Sequence, residues 1–194
     1  MSSKQLGISQ IGVSLPDSTF GDENFGGLPF IFVQRYILQY TNSLDDAVNY
    51  LNRVTKTCRL ILAIGDGQQG TARLIQYSNN RLRVLDDETL EPVAEWHPRL
   101  TNAVYTGMDW QCPAYQYKLY QQLKANYGEI TAESTIEKIS SVSKTGDLQV
   151  AIYDLTENQL YVANARGSNE QGPLEAYQRQ FVKLNLNVEF NRSQ

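Results

Sequence analysis

The chain has 194 residues, enough for one domain with a real apolar core. Hydrophobic residues make up 41% and charged residues 20%, an ordinary globular mixture that excludes a disordered, collagen-like or proline-rich polypeptide. Seventeen Lys and Arg against 21 Asp and Glu leave a net charge of -4, which argues against a generic nucleic-acid binder.

A mean hydropathy of -0.42 fits a chain without a membrane span, and no apolar run approaches the roughly 18 residues that a span needs. The opening Met1-Ser2-Ser3-Lys4 leads into Leu6-Gly7-Ile8-Ser9, not into the apolar core of a signal peptide. Residues 6–14 alternate and predict a strand, followed by a polar loop over 15–27. Leu28-Pro29 opens a helix, since proline is tolerated in a first turn, where its missing N–H has no partner. Phe30, Val33, Ile37 and Tyr40 share one face of it. Ser43 is a natural N-cap for a second helix, with Asp45 and Asp46 in the first turn and Ala47, Val48 and Leu51 on the buried side.

A run of strands comes next. Residues 60–64 lead into a turn at Gly65-Asp66-Gly67, 71–77 alternate, Asn79-Asn80 turn the chain, and 81–85 return. Residues 93–96 and 100–106 are two further short strand candidates. Helices are expected at 114–127, stopped by Gly128, and at 131–140, with Thr131 as N-cap. Strands at 148–153 and 159–163 flank a turn at 156–158, and an apolar alternation runs over 181–188. Paired helices between hairpin-rich blocks predict antiparallel sheets covered by helical layers, not a parallel βαβ sheet.

Two cysteines, Cys58 and Cys112, with a single histidine, His97, give neither a disulfide framework nor a zinc site of about four ligands; no metal or cofactor is implied. His97 lies before Pro98 at an expected strand end. A Cys112–His97 thiol enzyme is the weakest of the readings. Cys58 has Arg59 beside it, and Cys112 precedes a helix whose dipole favours a thiolate; a structural role is the alternative for each. Gly65-Asp66-Gly67-Gln68-Gln69-Gly70 lacks the Lys-Ser/Thr of a phosphate loop and reads as a hairpin. Asn102 sits where β-propensity disfavours it. Either it caps a turn, or its amide donors face a developing oxyanion.

Several stretches in order resemble one family: Leu6-Gly7-Ile8-Ser9-Gln10; Gly27-Leu28-Pro29-Phe30 with Arg35-Tyr36-Ile37-Leu38-Gln39-Tyr40; Ser43-Leu44-Asp45-Asp46-Ala47-Val48; Ile64-Gly65-Asp66; Thr101-Asn102; and Val150-Ala151-Ile152-Tyr153-Asp154. The set is similar to the acyl-coenzyme A:6-aminopenicillanic-acid acyltransferase (isopenicillin-N acyltransferase-like) family, relatives of choloylglycine hydrolases and acid ceramidase. The resemblance implies an α+β, four-layer αββα N-terminal-nucleophile hydrolase sandwich. Residues 1–194 would be a single domain, the C-terminal two-thirds of such an enzyme and incomplete at its N-terminal side. It implies amide hydrolysis or acyl transfer by an N-terminal cysteine thiolate, through an acyl-enzyme. Asn102 would be the oxyanion donor, and Gln10, Tyr105 and Trp110 would line the substrate pocket.

The family's nucleophilic cysteine lies upstream of the region matched by Met1, and neither Cys58 nor Cys112 falls at its place. Where the family often reads Met-Asn-x-x-Gly-Leu, this chain has Met1-Ser2-Ser3-Lys4-Gln5-Leu6. The expected partners are an N-acyl amide or acyl donor, with an upstream segment or a second copy, and no nucleic acid. Full-length members of the family are secreted or lysosomal; a sequon at Asn191-Arg192-Ser193 is the only pointer to a compartment here. The alternative to an enzyme portion is an inactive remnant that binds a ligand or protein, to which 12 tyrosines and open sheet edges would suit it.

Overall fold

The structure, a computed structural model, describes residues 1–12, 23–79, 81–91, 94–106, 113–142 and 148–192. The chain divides into two compact units, 1–93 with 99–111, and 94–98 with 112–194. Among the described residues each unit contains one antiparallel sheet.

In the first unit, β1 (Leu6–Gly12), β2 (Leu60–Asp66), β3 (Thr71–Tyr77) and β4 (Leu82–Leu85) pair in that order. The register sets Ile8 opposite Ile64 and Leu62 opposite Ile75. Ile8, Leu62, Ile64, Ile75 and Tyr77 therefore line one face, because alternate residues of a strand share a side. Two helices cover that face with Val33, Ile37, Leu44, Ala47 and Leu51. The first, α1 (Phe30–Tyr40), begins after Pro29, whose carbonyl accepts from Phe32 and Val33. The second, α2 (Leu44–Arg53), starts as expected at Ser43, whose hydroxyl accepts from the Asp46 N–H at 3.1 Å. Tyr40 departs from expectation. It is exposed in the last turn of α1, tilted against Tyr36 at 5.0 Å, while Tyr36 stacks on Tyr50 at 4.0 Å.

The expected turn at 65–67 falls later. Gly65 and Asp66 stay in β2, and the loop occupies 67–70, with Gly70 left-handed. The buried Asp66 carboxylate explains the shift. It accepts from the N–H groups of Gln68 and Gln69 in the loop and of Leu44 at the start of α2. Residues 24–28 fold back onto the segment after α2 through Asn24 N–H to Thr57 and Leu28 N–H to Thr55. A side chain at Gly27 would put its Cβ 2.5 Å from the Lys56 carbonyl carbon, so only glycine permits this approach.

The strand expected at 100–106 is a single bridge, Leu100 with Ala103. At 93–96 the described residues likewise give only the Ala94–His97 bridge. Tight turns take the place of extended ladders at both points.

In the second unit, α3 (Pro113–Ala125) ends before Gly128, which is left-handed as a helix stop requires. Thr131 caps the next segment, in a reciprocal box with Ser134. The regular helix expected over 131–140 is not formed. One α-turn (Ala132–Ser134) passes into a π-helical stretch (Thr135–Ile139) and a 3₁₀ turn (Ser140–Val142). Hydroxyls of Thr135 and Ser140 donate to the carbonyls of Thr131 and Ile136, competing with the backbone ladder. The sheet pairs β5 (Gln149–Asp154), β6 (Gln159–Asn164) and β7 (Val182–Asn185) in that order. The alternation over 181–188 is strand only as far as Asn185. The chain then turns into α4 (Leu186–Arg192), with the Asn185 side chain accepting from Asn187 N–H.

Candidate functional site

The segment that carries Asn102 is held from two points. Arg99 Nε donates to the Leu90 carbonyl at 2.9 Å, and the Asn102 backbone N–H donates to Asp87 Oδ2 at 2.6 Å. Between them Ala103 N–H closes a turn onto the Leu100 carbonyl at 3.2 Å. Asn102 is the left-handed residue of that turn, at φ 57°, a conformation asparagine tolerates better than most residues.

The supporting loop is itself braced. Asp86 accepts from Glu88 N–H, Thr89 N–H and the Thr89 hydroxyl. The Thr89 hydroxyl, followed by its N–H, holds the Asp86 carboxyl below the usual carboxylate range. Leu90 is buried beneath the loop, and Arg83 pairs with Glu91 beside it. The Asn102 backbone is thus fixed while the residue itself is exposed. It lies in a turn and not in the middle strand that the resemblance implies.

The other expected site residues are not all gathered with it. Gln10 is exposed on β1, and its side-chain oxygen accepts from Gln34 of α1 at 3.0 Å. Tyr105 is buried three residues beyond Asn102. Trp110 and Cys112 lie outside the described residues.

Cys58 is half-buried, and burial pushes its thiol up; the Thr57 hydroxyl partly opposes this, and the nearby Glu23 adds to it. Such a thiol is a poor nucleophile at neutral pH, whatever Arg59 promises in the sequence. His97 is buried, its N–H donating to the Ala94 carbonyl and its ring stacked beside Trp96 at 5.9 Å. Residues 65–70 form the end of β2 and the hairpin loop, as the missing Lys-Ser/Thr indicates.

Sequence reasoning missed Lys56. Its ammonium is buried below α2, donating to the carbonyls of Leu51 and Val54 at 2.9 and 3.0 Å and lying 5.7 Å from the centre of the Tyr77 ring. It closes the C-terminal end of α2, and burial pushes its pKa down. The position just past a helix end is the one signal that could have found it. Gln76 and Tyr77 were also missed. Both are buried, and the Gln76 amide and Tyr77 hydroxyl have no hydrogen-bond partner among the described residues. A β-alternation gives no warning of a buried amide.

Among the described residues no group of three His, Cys, Asp or Glu is placed to hold a metal ion, and no helix is long and apolar enough to cross a membrane.

No protein-family model matches the sequence. The chain is 35% identical over 184 residues to Protein dcd1B of Dictyostelium discoideum, a match covering 88% of this chain and 36% of that protein. It is 32% identical over 182 residues to Protein dcd1A of the same organism, covering 89% of this chain and 41% of that protein. The chain is thus similar, over nearly all its length, to about two-fifths of each of these longer proteins.

Proposed function

We propose that this chain is a portion of a cysteine N-terminal-nucleophile amidohydrolase or acyltransferase acting on N-acyl amides, with the attacking sulfur carried by polypeptide outside these 194 residues. The observation that carries the reading is the braced turn at Asn102. A donor that steadies a developing oxyanion must be fixed before the reaction begins, and here Asp87 and Arg99 fix the backbone that bears it. The raised thiol of Cys58 supports a nucleophile located elsewhere. The two antiparallel sheets and the helices of each unit are the kinds of layer from which a four-layer αββα sandwich is built.

In this reading the thiolate attacks the amide carbonyl, and the Asn102 side chain donates to the carbonyl oxygen as it becomes anionic. The C–N bond breaks as the amine leaves with the thiol's proton, held by the N-terminal cysteine's own α-amine. Water or a second amine, giving up a proton to that α-amine, then takes the acyl group from sulfur and restores the thiol. Gln10, Tyr105 and Trp110 are the proposed substrate contacts. The test joins the chain to the reading frame ahead of Met1 and assays thiol-dependent cleavage of an N-acyl amide. Asn102→Ala is expected to lower kcat/KM about 100- to 1,000-fold without loss of structure by circular dichroism. Full activity in that variant, or activity of the 194-residue chain alone that survives Asn102→Ala, overturns the proposal.

A second reading, binding without catalysis, is favoured by the outer side of α1, where Ile31, Phe32, Tyr36 and Tyr40 are exposed together. An activity assay that stays silent with the upstream segment present would favour it.

A further inference from the structure

The first residues of the chain form a tight hairpin against β1. Gln5 N–H donates to the Ser2 carbonyl at 3.1 Å, Ser2 N–H donates to the Leu6 carbonyl at 2.8 Å, and Gln5 is left-handed at φ 60°. This is the three-residue hairpin loop in which a left-handed residue closes a turn of type I form. Leu6 N–H also donates to the Ser2 hydroxyl at 3.3 Å. Ser2 therefore stands opposite Leu6 on the side of β1 that faces away from β2.

The parity of the ladder follows. Leu6 spends both backbone groups on Ser2, so Gly7, Ser9 and Ile11 are the residues bonded to β2, and Ile8, Gln10 and Gly12 point their N–H and C=O outward. Those outward groups have no strand partner among the described residues, because β1 is the edge of its sheet. Natural edge strands are usually blunted by a charge, a proline or short length. The edge strands β4, β5 and β7 each carry a charge, at Arg83, Asp154 and Lys183. By contrast β1, seven residues reading Leu-Gly-Ile-Ser-Gln-Ile-Gly, has neither charge nor proline.

We propose that the open edge of β1 is the seat of an extended segment joined ahead of Met1, which continues the arm begun at Ser2 and runs antiparallel to β1. Its register is set by the Ser2–Leu6 pair: the residue directly before Met1 meets Ile8, and the third residue before Met1 meets Gln10. The similar proteins dcd1A and dcd1B both extend well beyond the region they share with this chain. The inference deepens the function proposed above, since this strand is a route by which a nucleophile-bearing segment enters. Its test reads strand pairing and not catalysis, so either can fail alone.

The probe is a six-residue extension of alternating threonine and valine ahead of Met1, in a background with Cys58→Ser and Cys112→Ser. Gln10→Cys is combined with one cysteine placed third before Met1, or, as the shifted control, second before Met1. Directly opposed residues lie within disulfide reach, whereas a shift of one residue moves the cysteine to the other face. Cross-linking in the first pair at least about tenfold faster than in the second is expected. Equal rates, or none in the first pair, overturn the proposal.

Amide exchange provides the second measurement and needs no substitution. In the unextended chain Ile8 and Gln10 are expected to exchange faster than Gly7, Ser9 and Ile11, and to slow at least about tenfold in the extended chain. Slow exchange at Ile8 and Gln10 in the unextended monomer shows an edge already closed. Protection that rises with concentration, alongside a dimer in light scattering, makes a second copy the occupant. Either result overturns the proposal.

Discussion

Among the described residues, Gln5, Asn102 and Asn158 are the non-glycine residues that hold left-handed backbone. Asparagine bears that conformation with little cost, but a glutamine pays about 1–2 kcal/mol for it. At the place of Gln5 the family resembled by this sequence often has glycine, and the hairpin at Ser2–Leu6 gives the physical reason: the closing residue needs a positive φ. Gln5→Gly is therefore expected to stabilise the first unit by about 0.5–1 kcal/mol, after allowing for the extra freedom of glycine in the unfolded chain. Urea unfolding of the variant beside the parent checks the sign; a loss of stability would show that the Gln5 side chain contributes more than its backbone costs. The same logic applies to Asn102, whose turn was legible as one of two readings of an asparagine in an apolar run. The partner that fixes it, Asp87, lies fifteen residues away and left no trace in the local pattern.

At the scale of elements, the signals that survived are those that act locally. Pro29 and Ser43 mark the starts of α1 and α2 because each satisfies, or has no need to satisfy, a first-turn N–H. Strands β2 and β3 were legible from the apolar run at 60–64, the alternation over 71–77 and the glycines between them. The strand expected at 100–106 was not formed, because a left-handed residue interrupts it. The helix expected over 131–140 lost its regularity to hydroxyls that bond their own backbone.

Residues 24–28 are the case where tertiary contact overrides everything local. Their docking on Thr55 and Thr57 depends on the missing side chain of Gly27. Gly27→Ala forces a Cβ into the Lys56 backbone and should cost at least about 2–3 kcal/mol, with α1 loosened first. Faster amide exchange in α1 than in β2 of the variant would confirm the order, and an unchanged melting temperature would refute it.

For the whole molecule, alkaline pH is the condition to which the buried groups of the first unit respond most. Burial, with Cys58 close by, pushes the Tyr77 hydroxyl well above its ordinary value near 10. The unfolded chain therefore releases that proton first, so Tyr77 contributes stability fully below pH 10 and loses it as pH rises above 10. Lys56 acts with the opposite sign. Its folded pKa lies below the ordinary 10.5, so its burial costs most at neutral pH and the cost fades as pH approaches 10.5. Tyr77→Phe removes the first effect and leaves the second. Because the hydroxyl has no hydrogen-bond partner, the variant is expected to match or exceed the parent by about 1 kcal/mol at pH 7, with a shallower loss of stability above pH 10. Unfolding curves at pH 7, 9 and 11 check it; a steeper alkaline loss in the variant would be contrary.

The Asp66 carboxylate has a consequence for how this unit comes apart. One side chain anchors both the tip joining β2 to β3 and the first turn of α2. Neither can loosen without stripping the carboxylate of part of its solvation by backbone amides, so the loop at 67–70 and the start of α2 behave as one opening unit although more than twenty residues separate them in the chain.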